Sequence, residues 1–489
     1  MTRLLSGTVN ITWTLVLMVG TFNFFRASNK PLRITGRKIK QFKMSALLLF
    51  LLAFLMASSS WFQAAQDLVL ILLAGYIVTN WFHLARSARL VFLQHRWFWM
   101  VCVLYVIWSG VTIWLAPKSY WHDVKCLLAH QSFIHLFLAT LLFHSQERLT
   151  QVYRVMARWV VVLAAFSCLY GIVMHIKGFD PIFQRDTGRL LGSVNSATYH
   201  AHNVSILLAW VTPFVWTETH RSIGSMLSGN ITRRQFGESL LLGMGYLLML
   251  SSVYLTFTRG AWLAVTITLL WFWLTLPNSK AKIVTMVISL LVLGGLFVFD
   301  SRLGNRFSQS FDGESDLARK ALFLVHLDMF LERPWTGQGY YQYKKESIAL
   351  PFTSKYPELS DDELKFSHAH NQFLQVASNT GIPGVVLFLL LLFYLARRMF
   401  LFKQKADWLG KWGENQIMER DDQKAVRLAF IATIILFLTD QTFEYGLSRT
   451  VIIMIWAWIL ASDMSLNKTD VRSDSRFDPQ STDLQKGAV

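Results

Sequence analysis

Residues 368–384 read H-A-H-N-Q-F-L-Q-V-A-S-N-T-G-I-P-G, and residues 385–402, V-V-L-F-L-L-L-L-F-Y-L-A-R-R-M-F-L-F, follow without a break. The second stretch is apolar over enough residues to cross a hydrocarbon core about 30 Å thick as an α-helix. The first is a polar strip carrying His368, His370, Asn371 and Asn379 at the mouth of that helix. A titratable imidazole in that place stands where aqueous chemistry can meet a lipid-borne substrate.

Apolar runs of the same kind recur along the whole chain. Its 489 residues are 53% hydrophobic and only 16% charged, with a mean hydropathy of +0.37, which excludes an ordinary soluble protein. Transmembrane β-strands would alternate in hydrophobicity, and these runs do not. Spans are expected at 44–62, 68–84, 97–116, 124–143, 155–176, 198–216, 240–257, 261–276, 283–299, 385–402, 428–443 and 450–461. A weaker run at 9–25 either crosses as well or dips into the interface, so the fold class is an all-α integral membrane protein with twelve or thirteen transmembrane helices. No cleavable signal peptide is expected, because residues 1–25 are polar-interrupted and a basic loop follows them.

A net charge of +17 would suggest nucleic acid in a soluble domain, but its placement here argues for membrane topology and against nucleic acid. The segments with Arg86, Arg89 and Arg96, with Arg148 and Arg154, with Arg221, Arg233 and Arg234, and residues 397–427 are basic and belong on the cytoplasmic side. Residues 177–197, the turn at Arg259, residues 300–371 and the turn near Glu444 then share the opposite, periplasmic side. The chain accordingly divides into transmembrane helices over 1–299, a periplasmic cap over 300–371, C-terminal transmembrane helices over 372–463 and a disordered cytoplasmic tail over 464–489. The cap should be α-rich, with a helix near 316–331, a breaker cluster at 334–339 and aromatic residues at 340–343. Cys102, Cys126 and Cys168 fall in apolar runs and read as buried structural thiols.

Three external positions can carry chemistry. Arg259, in T-F-T-R-G-A-W over 256–262, sits in a tight turn between apolar runs, where a guanidinium either anchors at the interface or meets an anion. Arg189, in R-L-L-G-S-V-N ending at Asn195, lies in a loop whose small residues let backbone approach a ligand, with Arg185 as a nearby competitor. His370, with His368 and Asn371, is either a hydrogen-bonded structural residue or a base, and the pair with Asp361, Asp362 and Glu363 lacks a recognised metal-ligand spacing. The H-A-H-N string at 200–203 reads as a coincidental echo, since nothing else around it repeats.

The run from His370 through Gly381 to Gly384 resembles the bacterial O-antigen ligase pattern, in which His-Asn is followed at fixed distance by Gly-x-x-Gly. E-R-P-W-T-G-Q-G-Y over 332–340 is similar to the proline-glycine element that precedes it in the same superfamily. T-R-G-A-W-L over 258–263 resembles its Ser-Arg-Gly motif, and residues 189–195 its Arg-x-x-Gly-x-x-Asn loop. The family loop often reads Asn-Pro-Asn where this chain has Asn195-Ser196-Ala197. The resemblance covers approximately 177–461 and implies a GT-C-like glycosyltransferase architecture.

It further implies an inner-membrane enzyme that transfers a glycan from undecaprenyl diphosphate to a lipid A-core acceptor at the periplasmic face. Arg189 and Arg259 would stabilise charge growing on the diphosphate, and His370 would take the acceptor proton. The expected mechanism inverts the anomeric centre and uses no cofactor or obligatory metal. Asn371 and His368 are expected as supporting residues, Asn195 as part of the loop, Arg319 as a phosphate contact or an ion-pair partner within the cap, and Glu332 as the alternative base. The rival enzyme is a polymerase joining lipid-linked repeat units. The rival outside enzymes is a transporter, which calls for broken or charged helices at the bilayer midplane and an inverted repeat.

Overall fold

The computed structural model describes residues 50–54, 56, 81–116, 133–144, 149–180, 185–186, 197–276, 283, 314–356, 359, 368–408, 415–439 and 450–462. The described residues are helical almost throughout. In chain order they form α1 (Trp81–Gln94), α2 (Arg96–Leu115), α3 (Phe133–His144), α4 (Leu149–Lys177), α5 (Ala197–Leu227), α6 (Arg233–Leu255) and α7 (Arg259–Thr275). They continue with α8 (Glu314–Glu332), α9 (Glu346–Thr353), α10 (Gln372–Trp408), α11 (Asn415–Thr439) and α12 (Thr450–Ser462). One antiparallel pair of two-residue strands, β1 (Phe179–Asp180) and β2 (Arg185–Asp186), follows α4, with Phe179 opposite Asp186.

Among the described residues, four helices are long and apolar enough to cross a membrane: Arg96–Leu115, Gln151–Lys177, Arg233–Leu255 and Gln372–Met399. His135–His144, Arg259–Thr275 and Thr450–Ser462 are shorter apolar helices, so the architecture is that of a multi-pass helical membrane protein. Exposed apolar side chains on α2 and α10, such as Trp114 and Phe393, suit contact with lipid. The expected span at 9–25, residues 68–80 of the one at 68–84, and nearly all of 283–299 lie outside the described residues, as does Cys126. Cys102 and Cys168 are buried free thiols.

The core is organised around α5, which packs against α4, α6, α7 and α11 and is buried at every position from 200 to 215. A helix buried all round needs internal partners for its polar groups. Tyr153 donates to the Trp210 carbonyl at 3.0 Å, and Thr212 meets the Tyr246 hydroxyl at 2.8 Å. Tyr153, Trp210 and Trp458 form an edge-on aromatic cluster that ties α12 to α4 and α5.

Two stretches placed outside the expected spans are helical. Arg89 lies within α1, which stops only at Gln94 and is separated from α2 by the single residue His95. The polar strip at 368–384 is mostly the first turns of α10, because Asn371 caps that helix: its Oδ1 accepts from the Leu374 amide at 3.0 Å.

The bundle has two chemically different ends. At one, Arg158 and Arg221 approach Glu218 at 3.6 and 2.9 Å, and Thr217 donates to Asp421 at 2.7 Å. Buried His95 bridges the Tyr394 hydroxyl and the Leu460 carbonyl at 3.0 Å each, and Arg398 donates to the same hydroxyl at 2.9 Å. Burial raises the Asp421 carboxyl above its ordinary range, with the Thr217 hydrogen bond pulling the other way. At the opposite end α2, α4, α6 and α11 finish, and α5, α7 and α10 begin.

Candidate active site

The second end is shaped by an interruption in α10. Gly381 has φ 66° and ψ −168°, and Pro383 two residues later has no amide proton. A break there frees the carbonyls of Ser378, Asn379 and Thr380 and the Ile382 amide from helical bonding. Every one finds a substitute. Gln338 donates to the Ser378 carbonyl at 2.8 Å, Gly339 to that of Asn379 at 3.1 Å, and Ile382 to that of Pro334 at 2.8 Å. The Trp108 indole of α2 donates to the Thr380 carbonyl at 2.7 Å.

The proline-glycine element at 334–339 is therefore a strap laid along the broken turn. A side chain on Gly381 would overlap the Trp335 carbonyl, and one on Gly337 would come within 2.5 Å of the Asn379 backbone. Neither position has room for more than hydrogen. Gly339 presses the same strap onto Thr112 and Ala116 at the end of α2. Helix α8 adds His326, whose Nδ1 lies 2.8 Å from the Ser378 hydroxyl. That hydroxyl donates to the Gln375 carbonyl at 3.1 Å, so the imidazole is the donor to Ser378.

His370 sits just before α10 in the left-handed region, with φ 49°. Non-glycine residues there are uncommon and cluster at functional sites. Its ring lies 4.2 Å from that of His368, centroid to centroid, and both are half-buried. Between them, the buried Ala369 amide donates to Gln375 Oε1 at 2.9 Å, and Gln375 Nε2 donates to Asn379 Oδ1 at 3.1 Å. Asn371, besides capping α10, donates through Nδ2 to the Leu438 carbonyl in the last turn of α11 at 3.1 Å.

Arg259 is built in a parallel way. It is the first residue of α7, two residues after Phe257, which is also left-handed at φ 54°. Phe257 is held by Tyr254 and Trp262, whose rings stack at 5.8 Å, while the Trp262 indole donates to the Val253 carbonyl at 3.2 Å. Gly260 packs so closely on α11 that a Cβ there would lie 2.5 Å from the Thr439 hydroxyl. Arg259 thus joins a guanidinium to the positive end of a helix dipole, an arrangement suited to an anion. Leu438 and Thr439, neighbours in α11, bring the Arg259 turn and the His370 turn to the same end of one helix.

The remaining candidates divide. Arg189 and Asn195 lie outside the described residues, although α4 and α5 on either side of them both reach this end of the bundle. Asp361, Asp362 and Glu363 are outside as well, and among the described residues no group of three or more His, Cys, Asp or Glu side chains draws together. Half-buried Arg319 lies in α8 seven residues before His326, two turns from the contact with Ser378. Glu332 is at the far end of α8, beside the α10 break, where its carboxylate accepts from Gln338 at 3.3 Å.

The structure also gives a place to the H-A-H-N string of 200–203. His200, His202 and Asn203 are fully buried in α5, with His200 Nε2 at 2.6 Å from the Ser252 hydroxyl of α6. Ser205, one turn further on, approaches the Ala261 carbonyl at 3.5 Å, so this polar layer lies just inside the Arg259 turn. The sequence reading took the string for a coincidental echo and gave no role to Gln375, Asn379 or Thr439. Their only signal is polarity inside apolar helices, which does not say what each one touches.

Residues 244–389 match the protein-family model described as O-antigen ligase, a segment holding Arg259, the strap and the His370 turn. No curated protein is similar enough to the chain to be matched. The match falls on these elements of an all-helical membrane bundle and supports the O-antigen ligase and polymerase superfamily.

Proposed function

We propose that this protein is an O-antigen ligase: a glycosyltransferase of the bacterial inner membrane, with twelve or thirteen spans. It moves a glycan from undecaprenyl diphosphate to a lipid A-core hydroxyl at the periplasmic face. The observation that carries the reading is the shared seat of Arg259 and His370 on the last turn of α11, through Gly260 on Thr439 and Asn371 on Leu438. The basic side chains gathered at the other end agree with that end facing the cytoplasm.

In this reading Arg259, with Arg189 from the α4–α5 connection and Arg319 from the cap, holds the pyrophosphate and offsets the negative charge that grows as the glycosyl bond breaks. His370 accepts the proton of the acceptor hydroxyl, a contribution of about 10² to 10⁴-fold for a well-placed base. Attack on the face opposite the departing pyrophosphate inverts the anomeric centre. His368 and Asn371 hold the base, Asn195 helps shape the donor loop, and Glu332 belongs to the strap through Gln338.

The test is transfer in vitro from purified undecaprenyl diphosphate-linked glycan to lipid A-core. Arg189→Ala, Arg259→Ala and His370→Ala should each lose nearly all activity at normal expression, and EDTA should change nothing. Wild-type turnover in any of the three removes that residue from the site, and retention of the donor's anomeric configuration overturns direct displacement. Glycan profiles of a deletion strain separate the two enzyme classes: a missing ligase strands long polymer on the carrier lipid, whereas a missing polymerase leaves single repeats on the core.

A further inference from the structure

We infer that Gln375 is a positioning residue for His370, acting through the Ala369 peptide. The inference rests on the reading of His370 as the base and adds the device that aims it. His370 is held in the left-handed region, where a non-glycine residue stays only if its surroundings over-determine it. Asn371 fixes the downstream side of His370 by capping α10 and by its bond to Leu438. The upstream side is fixed by Gln375, whose Oε1 accepts the Ala369 amide at 2.9 Å.

Three features make this tie directional rather than a general packing contact. Gln375 is wholly buried and Ala369 and Asn379 nearly so, so water is a poor substitute for the bond. The carboxamide cannot turn over without loss, because its Nε2 already donates to Asn379 Oδ1 at 3.1 Å. Asn379 is itself clamped by the strap, its carbonyl taking the Gly339 amide at 3.1 Å and its backbone lying against Gly337. A continuous line of contacts thus runs from strap to Asn379, Gln375, the Ala369 peptide and the two imidazoles. The Ala369 amide lies in the His368–Ala369 peptide plane, so holding it restrains His368 directly and His370 through the residue that joins them and the ring packed beside it.

The experiment compares wild type, Gln375→Met, Gln375→Glu and His370→Ala as full-length protein in nanodiscs. The donor is undecaprenyl diphosphate-linked glycan from a deletion strain, and the acceptor is its lipid A-core. Gln375→Met keeps the shape and removes both hydrogen bonds, while Gln375→Glu keeps the acceptor oxygen for Ala369. Gln375→Met should lower kcat by roughly tenfold to a hundredfold, the scale expected for a base displaced by about 1 Å, with donor KM within about twofold of wild type. Gln375→Glu should recover most of the rate.

Hydrogen exchange at the Ala369 amide supplies a readout independent of turnover: slow in wild type and Gln375→Glu, fast in Gln375→Met. Fast exchange in wild type overturns the inference even if Gln375→Met fails to fold. So does wild-type kcat in Gln375→Met, or a rise in KM that matches the fall in rate. Wild-type turnover in His370→Ala instead overturns the base assignment, so failure of that reading is told apart from failure of this one.

Discussion

Asn371 Nδ2 donates to the Leu438 carbonyl at 3.1 Å, joining the residue that starts α10 to the last turn of α11. The partners are 67 residues apart, and the bond uses a carbonyl that a helix end would otherwise leave without an intrahelical donor. Thr439, the next residue, is the surface on which Gly260 rests, so one short piece of α11 sets the spacing between the two turns that carry His370 and Arg259.

The two bonds of Asn371 can be separated. Asn371→Ala loses the helix cap, worth about 0.5–2 kcal/mol, together with the tie to Leu438, and should lower both the thermal midpoint and the transfer rate. Asn371→Asp keeps an acceptor for the Leu374 amide but has no donor for Leu438. It should stay near the wild-type midpoint while still losing activity several-fold. Calorimetry and transfer assays on the purified pair decide it; full activity in the aspartate variant shows that the Leu438 bond does not matter to the site.

Gly260→Ala places a methyl group 2.5 Å from the Thr439 hydroxyl and 3.0 Å from its Cβ. Thr439 has little freedom to yield, because its hydroxyl donates to the Ile435 carbonyl at 3.0 Å. The variant should push the Arg259 turn off α11 and lose about tenfold or more in rate, as small misplacements at a reacting centre do. Adding Thr439→Ala should restore part of it. A double-mutant cycle with strictly additive losses would show that the two residues are not coupled.

Trp108→Phe keeps an aromatic ring but removes the pyrrole half of the indole, and with it the donor to the Thr380 carbonyl. Leaving a buried acceptor unsatisfied costs roughly 1–3 kcal/mol, so the thermal midpoint should fall. Limited proteolysis should then cut first near the α10 break. An unchanged midpoint would mean that the break holds without the indole.

Asp421 gives a pH signature at the basic end. Its folded-state pKa is raised by burial, so the protonated form is favoured on folding. The stability it adds is present below the unfolded carboxyl value, about 3.9, and is lost as pH rises through the window up to the raised folded value. Asp421→Asn can still accept the Thr217 hydrogen bond and has no charge to desolvate. Its midpoint should exceed that of wild type near pH 7.5, with the gap closing on acidification. A gap that is constant across pH, or that favours wild type at neutral pH, contradicts the burial account.

The sequence by itself determined the class of protein, the order of the motifs and most of the helices, because runs of apolar residues long enough for a bilayer leave few alternatives. It also located a helix ahead of the strap: the expected 316–331 is α8, Glu314–Glu332, and the expected breaker at 334–339 is the strap. Arg259 and His370 stood out because a guanidinium or an imidazole at the end of an apolar run needs a reason to be there.

What only the tertiary structure decided is which distant groups complete one another. The broken turn of α10 is a local event, written in Gly381 and Pro383, but its freed carbonyls are satisfied by a strap forty residues upstream and by an indole on α2. Gln375, Thr439 and the buried His200–Ser252 pair carry no local signature, since polarity within an apolar helix names a need for a partner and not the partner itself. That choice depends on helix packing, which brings side chains together across separations that no spacing along the chain encodes.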